Sequence, residues 1–188
     1  MEKVKRMTLV KIHMLLAAFI LPIAIMFSVT GGLYTWGVKG GYNSENVDLP
    51  IEQPLKPNLS TLQTIVESQL EKRGLSVPTG NPKVKKIGTS FGFEWTGSNR
   101  DVSLAPTNNP KVAKLTIKKT SWYRQFVQLH KAKGGIPFKV LAALFAIGLL
   151  TLLVTGCWMA WLVPNYRKKM LRAMGVGIAA FVAAVLLS

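Results

Sequence analysis

Two histidines, His13 and His130, are the side chains of this 188-residue chain best suited to hold a transition metal or to carry a proton near neutral pH. A neutral imidazole offers one ring nitrogen as a ligand while the other donates a hydrogen bond. His13 lies in Lys11-Ile-His-Met-Leu15, just inside a long apolar run, and His130 lies in Gln128-Leu-His-Lys131, ahead of another. An ionisable residue inside an apolar span is costly and reads first as functional, yet one so near the edge also reaches lipid headgroups. For His130 the plainer reading is a surface histidine on an amphipathic helix.

The familiar soluble-enzyme constellations are missing from the sequence. It carries no Ser/His/Asp arrangement, no Cys/His cluster at zinc spacing, no Gly-rich phosphate loop before a helix and no HExxH. The single cysteine, Cys157, falls inside an apolar run, forms no intrachain disulfide and reads as a small packed thiol. An imidazole turned into a helical membrane bundle, by contrast, is a usual way of holding b-type haem. One haem cannot use both histidines. From residue 13 to residue 36 a helix climbs about 35 Å, and His130 precedes a span that starts on the far side. Bis-histidine ligation therefore requires the same residue from a second copy, in a twofold dimer with haem near the axis. Met14 or Met26 is the alternative partner.

The elements that must position these residues are three apolar blocks, Leu9 to Trp36, Ile136 to Val163 and Met170 to Leu187, each without acidic residues. A hydrocarbon layer of roughly 30 Å needs about 20 helical residues, which all three blocks approach or exceed. The first reads as an uncleaved anchor and not as a signal peptide, because its apolar run continues through Phe27, Leu33, Tyr34 and Trp36 instead of ending at small residues. Lys3, Lys5, Arg6 and Lys11 precede the first span, and Arg167, Lys168, Lys169 and Arg172 sit between the second and third. The positive-inside rule places both groups in the cytoplasm and the long segment between spans 1 and 2 outside. Trp36 with Tyr34, Trp122 with Tyr123, and Trp158 with Trp161 and Tyr166 fall where interfacial aromatic belts belong.

The formal charge of +16 does not point to nucleic acid. Eight of the 24 basic residues are the cytoplasmic flanks, which meet anionic membrane lipid, and the others are spread without the interleaved aromatics of a strand-binding platform. Between Lys39 and Lys139 the balance is 16 basic to 7 acidic residues, a field that attracts anionic molecules or lies near acidic headgroups.

The outer segment opens with Asn43 to Pro57, which lacks hydrophobic period and reads as a linker. Glu45, Asp48 and Glu52 within it are a weaker candidate for iron. Ser60 and Gln63 form a capping-box pattern, and Leu62, Ile65, Val66 and Leu70 then recur at helical spacing up to Gly74. Lys83 to Ile87, Ser90 to Trp95, Asp101 to Ala105 and Val112 to Lys118 alternate with period two between turn signals. One helix on a small antiparallel sheet is expected. Trp122 to Lys133 reads as an amphipathic helix, with Phe126, Val127 and Leu129 interrupted by Arg124, Gln125 and Gln128.

Spans 1 and 2 share an echo, Val29-Thr-Gly-Gly-Leu-Tyr-Thr-Trp36 and Val154-Thr-Gly-Cys-Trp-Met-Ala-Trp161. Threonine can bond back to its own helix, glycine admits a second helix or a flat ligand, and tryptophan anchors at the interface. Packing accounts for the echo as well as a ligand does. In the third span Gly175, Ala179 and Ala183 form a small-residue face suited to another span or a second copy.

These features resemble the PepSY-associated transmembrane family, which includes inner-membrane ferric and siderophore reductases. The likeness rests on His13 after the basic start, Val29-Thr-Gly-Gly-Leu-Tyr34, the α+β insert, Trp122, Leu129-His130, Gly135, and Val154-Thr-Gly156 with Trp161. The small three-span ferric reductases that support ferrous iron uptake are the nearer likeness. Larger members have more spans and histidines, which again favours a dimer here. The resemblance implies a ferric reductase with haem b, axial ligation by His13 and His130, and close approach of the porphyrin to Gly31, Gly32 and Gly156. It implies electrons from a quinol or a cytoplasmic donor, ferric iron or a ferric chelate as acceptor, and a separate ferrous iron transporter. No flavin or nicotinamide fingerprint is present.

The expected architecture is an α-helical membrane protein of the bacterial inner membrane, with three transmembrane helices, a small periplasmic α+β domain of PepSY-like type, and a homodimeric assembly. Its segments are a cytoplasmic N-terminus over 1–8, helix 1 over 9–36 and the external domain over 37–120. An interfacial helix over 121–135, helix 2 over 136–163, a cytoplasmic basic loop over 164–169 and helix 3 over 170–188 complete it. The rival reading is a non-catalytic, membrane-anchored binding or regulatory module for a transporter or protease, which predicts colourless protein.

Overall fold

The computed structural model describes the backbone of residues 2–188 and the side chains from residue 7 onward. Met1 and the side chains of Lys3, Lys5 and Arg6, part of the expected cytoplasmic segment, lie outside the described residues. Two compact units are present, one made of Met1–Ala24 with Ala143–Ser188 and the other of Ile25–Ala142.

Among the described residues, three helices are long and apolar enough to cross a membrane: α1 (Glu2–Thr35), α4 (Ile136–Trp161) and α5 (Pro164–Leu186). Almost all of their apolar surface is exposed, as it must be where lipid is the solvent. In the first unit α1 packs on α4 at Gly148, where a Cβ would come 3.3 Å from Ile20 Cγ2. A larger residue there would push the helices apart.

Helix α5 begins earlier than the sequence suggests. The expected basic loop over 164–169 is its first turns, and only Leu162 and Val163 connect it to α4. Pro164 suits the first helical turn because it needs no N–H partner, and the Arg and Lys residues that follow are good helix formers. Arg167 turns back, its Nε donating to Trp161 O at 2.5 Å and its guanidinium lying 5.5 Å from the Trp161 ring centre. The basic residue thereby meets the negative end of the α4 dipole.

The second unit holds an antiparallel five-stranded sheet in the order β1-β5-β4-β3-β2, formed by Tyr42–Pro50, Pro82–Ile87, Ser90–Thr96, Arg100–Pro106 and Val112–Thr120 as β1 to β5. Four strands match the period-two segments. The fifth, β1, corrects the reading of Asn43 to Pro57 as a linker: its first eight residues are strand, paired with β5 from Tyr42 opposite Thr120 to Pro50 opposite Val112. Val47 and Leu49 point into the core while Asn46 and Asp48 point away, and an edge position tolerates Pro50.

Helix α2 (Leu59–Glu71) covers one face of the sheet. Leu62, Val66 and Leu70 are fully buried against Phe93, Leu104 and Leu115. Its N-cap is Asn58, whose side chain accepts from Thr61 N, and Ser60 donates to Asn58 Oδ1. The Ser60 capping box is therefore not formed, and Gln63 instead reaches Glu67.

Helix α3 (Trp122–His130) is shorter than expected and is not continuous with α4. It closes with Ala132 N on Leu129 O and Lys133 N on Gln128 O, a Schellman ending in which Ala132, at φ 58°, occupies the left-handed position where glycine is usual. Its inward face is mixed: Val127 is buried beside Gln128, which was expected on the solvent side and has no exposed surface, while Trp122 is 76% exposed.

Because Leu104 is fully buried under α2, Leu104→Ala is expected to destabilise this unit by about 2–5 kcal/mol. Urea unfolding followed by the fluorescence of buried Trp95 measures the loss; an unchanged midpoint contradicts this core.

Candidate functional site

His130, the last residue of α3, lays its ring on the backbone of α1. Its Nδ1 is 2.9 Å from Thr30 Oγ1. Thr30 is nearly fully buried, and its hydroxyl also lies 2.6 Å from Met26 O. A hydroxyl has one proton, and the short bond to the carbonyl uses it. Towards His130 the threonine oxygen accepts, so Nδ1 is the donor, and in the neutral ring Nε2 then keeps its lone pair. That is the tautomer a metal-binding histidine needs, with the second nitrogen fixed by a hydrogen bond.

The space for the ring is made by Gly31. A Cβ there would stand 3.0 Å from His130 Cε1, closer than the neighbours accommodate without shifting. Phe27 lies beside the imidazole, with centroids 4.8 Å apart, and Phe138 stacks on Phe27 at 6.5 Å. Thr30, Gly31, Tyr34, Val127, His130 and Lys131 line a cavity of about 390 Å³. Lys39 and Lys131 each place Nζ 5.5 Å from the centre of the Tyr34 ring, so the cavity carries positive charge at its edge.

His13 has the same arrangement within the other unit. Its Nδ1 is 2.8 Å from Thr155 Oγ1, which in turn donates to Thr151 O at 2.7 Å. Gly156 faces the ring, its Cβ position 3.8 Å from His13 Cε1. The V-T-G echo is thereby explained: each copy supplies a threonine that accepts from a histidine on a different helix and a glycine beside that imidazole. Thr30 and Thr155 are the site residues that the sequence reading did not pair with the histidines, and the echo was their signal. At Gly32 a Cβ would meet nothing within 4 Å, so the space beside it is open.

Helix α3 is tied down by its polar face. Tyr42 OH accepts from Arg124 Nη2 at 2.8 Å and from Gln128 Nε2 at 3.0 Å, and donates to Asp101 Oδ2 at 3.0 Å. Burial pushes the Tyr42 phenol above its ordinary pKa, against the pull of Arg124. Arg124 also donates to Lys39 O at 2.9 Å, and Gly40, at φ +70°, admits the backbone of Arg124 where a Cβ would be 2.9 Å from its nitrogen.

No group of three or more His, Cys, Asp or Glu side chains gathers at metal-binding range among the described residues. Glu45 and Asp48, three residues apart on β1, project from opposite faces, and Glu45 lies 3.9 Å from Arg73. The acidic iron-site reading fails on that geometry. Cys157 is exposed, not packed, and lines an apolar cavity of about 730 Å³ between α4 and α5 with Trp158, Trp161 and Met174.

A family model described as the PepSY-associated TM region matches residues 2–163. No curated protein and no solved structure matches the chain.

The two glycines differ in clearance, 3.0 Å at Gly31 against 3.8 Å at Gly156. Gly31→Ala is therefore expected to displace His130 and lower thermal stability in detergent, by about 1–3 kcal/mol for an overpacked contact, whereas Gly156→Ala is expected to be nearly neutral. Equal melting shifts for the two variants contradict the geometry.

Proposed function

The chain belongs to the PepSY-associated transmembrane family, and from that premise we propose that it is a haem b-containing ferric reductase of the bacterial inner membrane. It reduces ferric iron or ferric chelates at the periplasmic face and so supplies ferrous iron for uptake. The observation that carries this reading is the repeated histidine–threonine pair: at His13 and at His130 the Nδ1 proton is engaged by a threonine hydroxyl, which leaves Nε2 as a ligand.

His13 and His130 would hold the haem iron, and Gly31 and Gly156 keep side chains off the helix surface beside each imidazole. Bound haem b supplies one-electron transfer. The residues that do the remaining work belong to the chain. The excess of basic over acidic residues between Lys39 and Lys139 draws anionic ferric chelates to the α+β domain. Lys39 and Lys131 bring that charge to the edge of the His130 cavity.

One electron converts each Fe(III) to Fe(II). A quinol donor gives up two electrons and two protons and so serves two ferric ions; a cytoplasmic redox protein is the other source. The product passes to a separate ferrous iron transporter. Lys11, Arg167, Lys168, Lys169 and Arg172 set the N-terminus and the α4–α5 connection on the cytoplasmic side, with the α+β domain periplasmic. With one histidine at each site, the same residue of a second copy completes bis-histidine ligation, so the working unit is a twofold homodimer.

Full-length protein produced with ample haem and purified in detergent is expected to give a b-type reduced-minus-oxidised spectrum, with a different part of it lost in His13→Ala and in His130→Ala. Wild-type protein that stays colourless sinks the reductase reading.

A further inference from the structure

Asp101, on β4, has no part in the histidine sites themselves, yet its carboxylate holds the chain on both sides of His130. Before the histidine, Gln128 Nε2 donates to Asp101 Oδ2 at 3.2 Å, and Tyr42, which Gln128 and Arg124 also grip, donates to the same oxygen at 3.0 Å. After the histidine, Lys133 Nζ lies 3.6 Å from Oδ2. The other oxygen, Oδ1, accepts from Gly97 N at 3.1 Å, which fixes the carboxylate to the β3–β4 turn.

The segment so gripped does not sit in a relaxed conformation. Ala132, two residues after His130, is the non-glycine residue with positive φ among the described residues, at 58°. Such a turn persists where its surroundings over-determine it. Thr79 Oγ1 supplies a further hold by donating to Lys133 O at 2.8 Å. Gln128 is buried completely and places a polar side chain against the sheet where an apolar one would pack without needing partners.

We propose that Asp101 is the positioning residue of the His130 site: by clamping Gln128 and Lys133 it fixes the end of α3 so that His130 meets Thr30 with Nδ1. The α+β domain then serves as the frame that aims the outer histidine. This inference rests on the reading of His130 as a ligand, because only then does the direction of Nε2 matter.

The test uses haem-free, full-length protein labelled with ¹⁵N-histidine, in which the two imidazoles are assigned with His13→Ala. Asp101→Leu is expected to move the two ring-nitrogen shifts of His130 towards each other, as the bond to Thr30 is lost and the tautomers mix. The His13 shifts stay in place. Asp101→Asn keeps one acceptor oxygen, enough for Gly97 N, but turns an NH₂ donor towards Tyr42, Gln128 and Lys133, so it is expected to give shifts between those of wild type and Asp101→Leu. Where Asp101→Leu unfolds the domain, seen by loss of the buried Trp95 fluorescence, Gln128→Leu replaces it as a variant that cuts one arm of the clamp without changing bulk. Unmoved His130 shifts in either variant while the domain stays folded overturn the proposal. Colourless wild-type protein counts against the reductase reading alone, since these spectra need no haem.

Discussion

A threonine hydroxyl has a single proton, and inside a membrane helix that proton goes to the carbonyl one turn back. Thr30 and Thr155 both do this, at 2.6 and 2.7 Å. What remains on each oxygen is acceptor capacity, so the imidazole that meets it donates from Nδ1. The lone pair of Nε2 is then held in reserve in a part of the molecule where an unused polar group is costly. The glycine after each threonine, the register of α1 against α3 and α4, and the anchoring of α3 on the sheet all serve that one bond.

The α+β domain is built to withstand that task. Its core is a single apolar layer between α2 and one face of the sheet, with Phe93, Leu104, Leu115 and, from α2, Leu62 and Leu70 fully buried. The other face is polar, and it is there that Tyr42 and Asp101 receive α3. Helix α3 partly inverts the usual arrangement: Gln128 is buried beside Val127, while Trp122 and Phe126 are turned outward. That inversion suits a short helix next to a lipid interface, where aromatic side chains are at ease and a polar face finds its partners on protein.

Much of this was legible in the residues. The three spans, the four inner and edge strands with alternating pattern, and α2 follow from periods of 3.6 and 2 that burial imposes locally. Strand β1 was not legible, because Tyr-Asn-Ser-Glu-Asn-Val-Asp-Leu-Pro has few apolar residues and becomes a strand only by pairing with β5 some seventy residues later. Residues 164–169 read as a loop because charge was taken for solvent exposure, although basic residues at the membrane edge are helical as readily as not. Gln128 read as part of the polar, outward side of an amphipathic helix, whereas it is buried. His13, His130, Gly31 and Gly156 were singled out, but their threonine partners were not, since a hydrogen bond spanning a hundred residues or more leaves no periodicity. The repeated V-T-G was the trace it did leave.

The tautomer of the two histidines is the most direct measurement of this account. In haem-free protein carrying ¹⁵N-histidine, the shifts of each ring distinguish a protonated from an unprotonated nitrogen, and two histidines give an uncrowded spectrum. Both rings are expected to show a protonated Nδ1 and an unprotonated Nε2, with Thr30→Val releasing His130 alone and Thr155→Val releasing His13 alone. Rings protonated at Nε2, or indifferent to the loss of their threonine, contradict it.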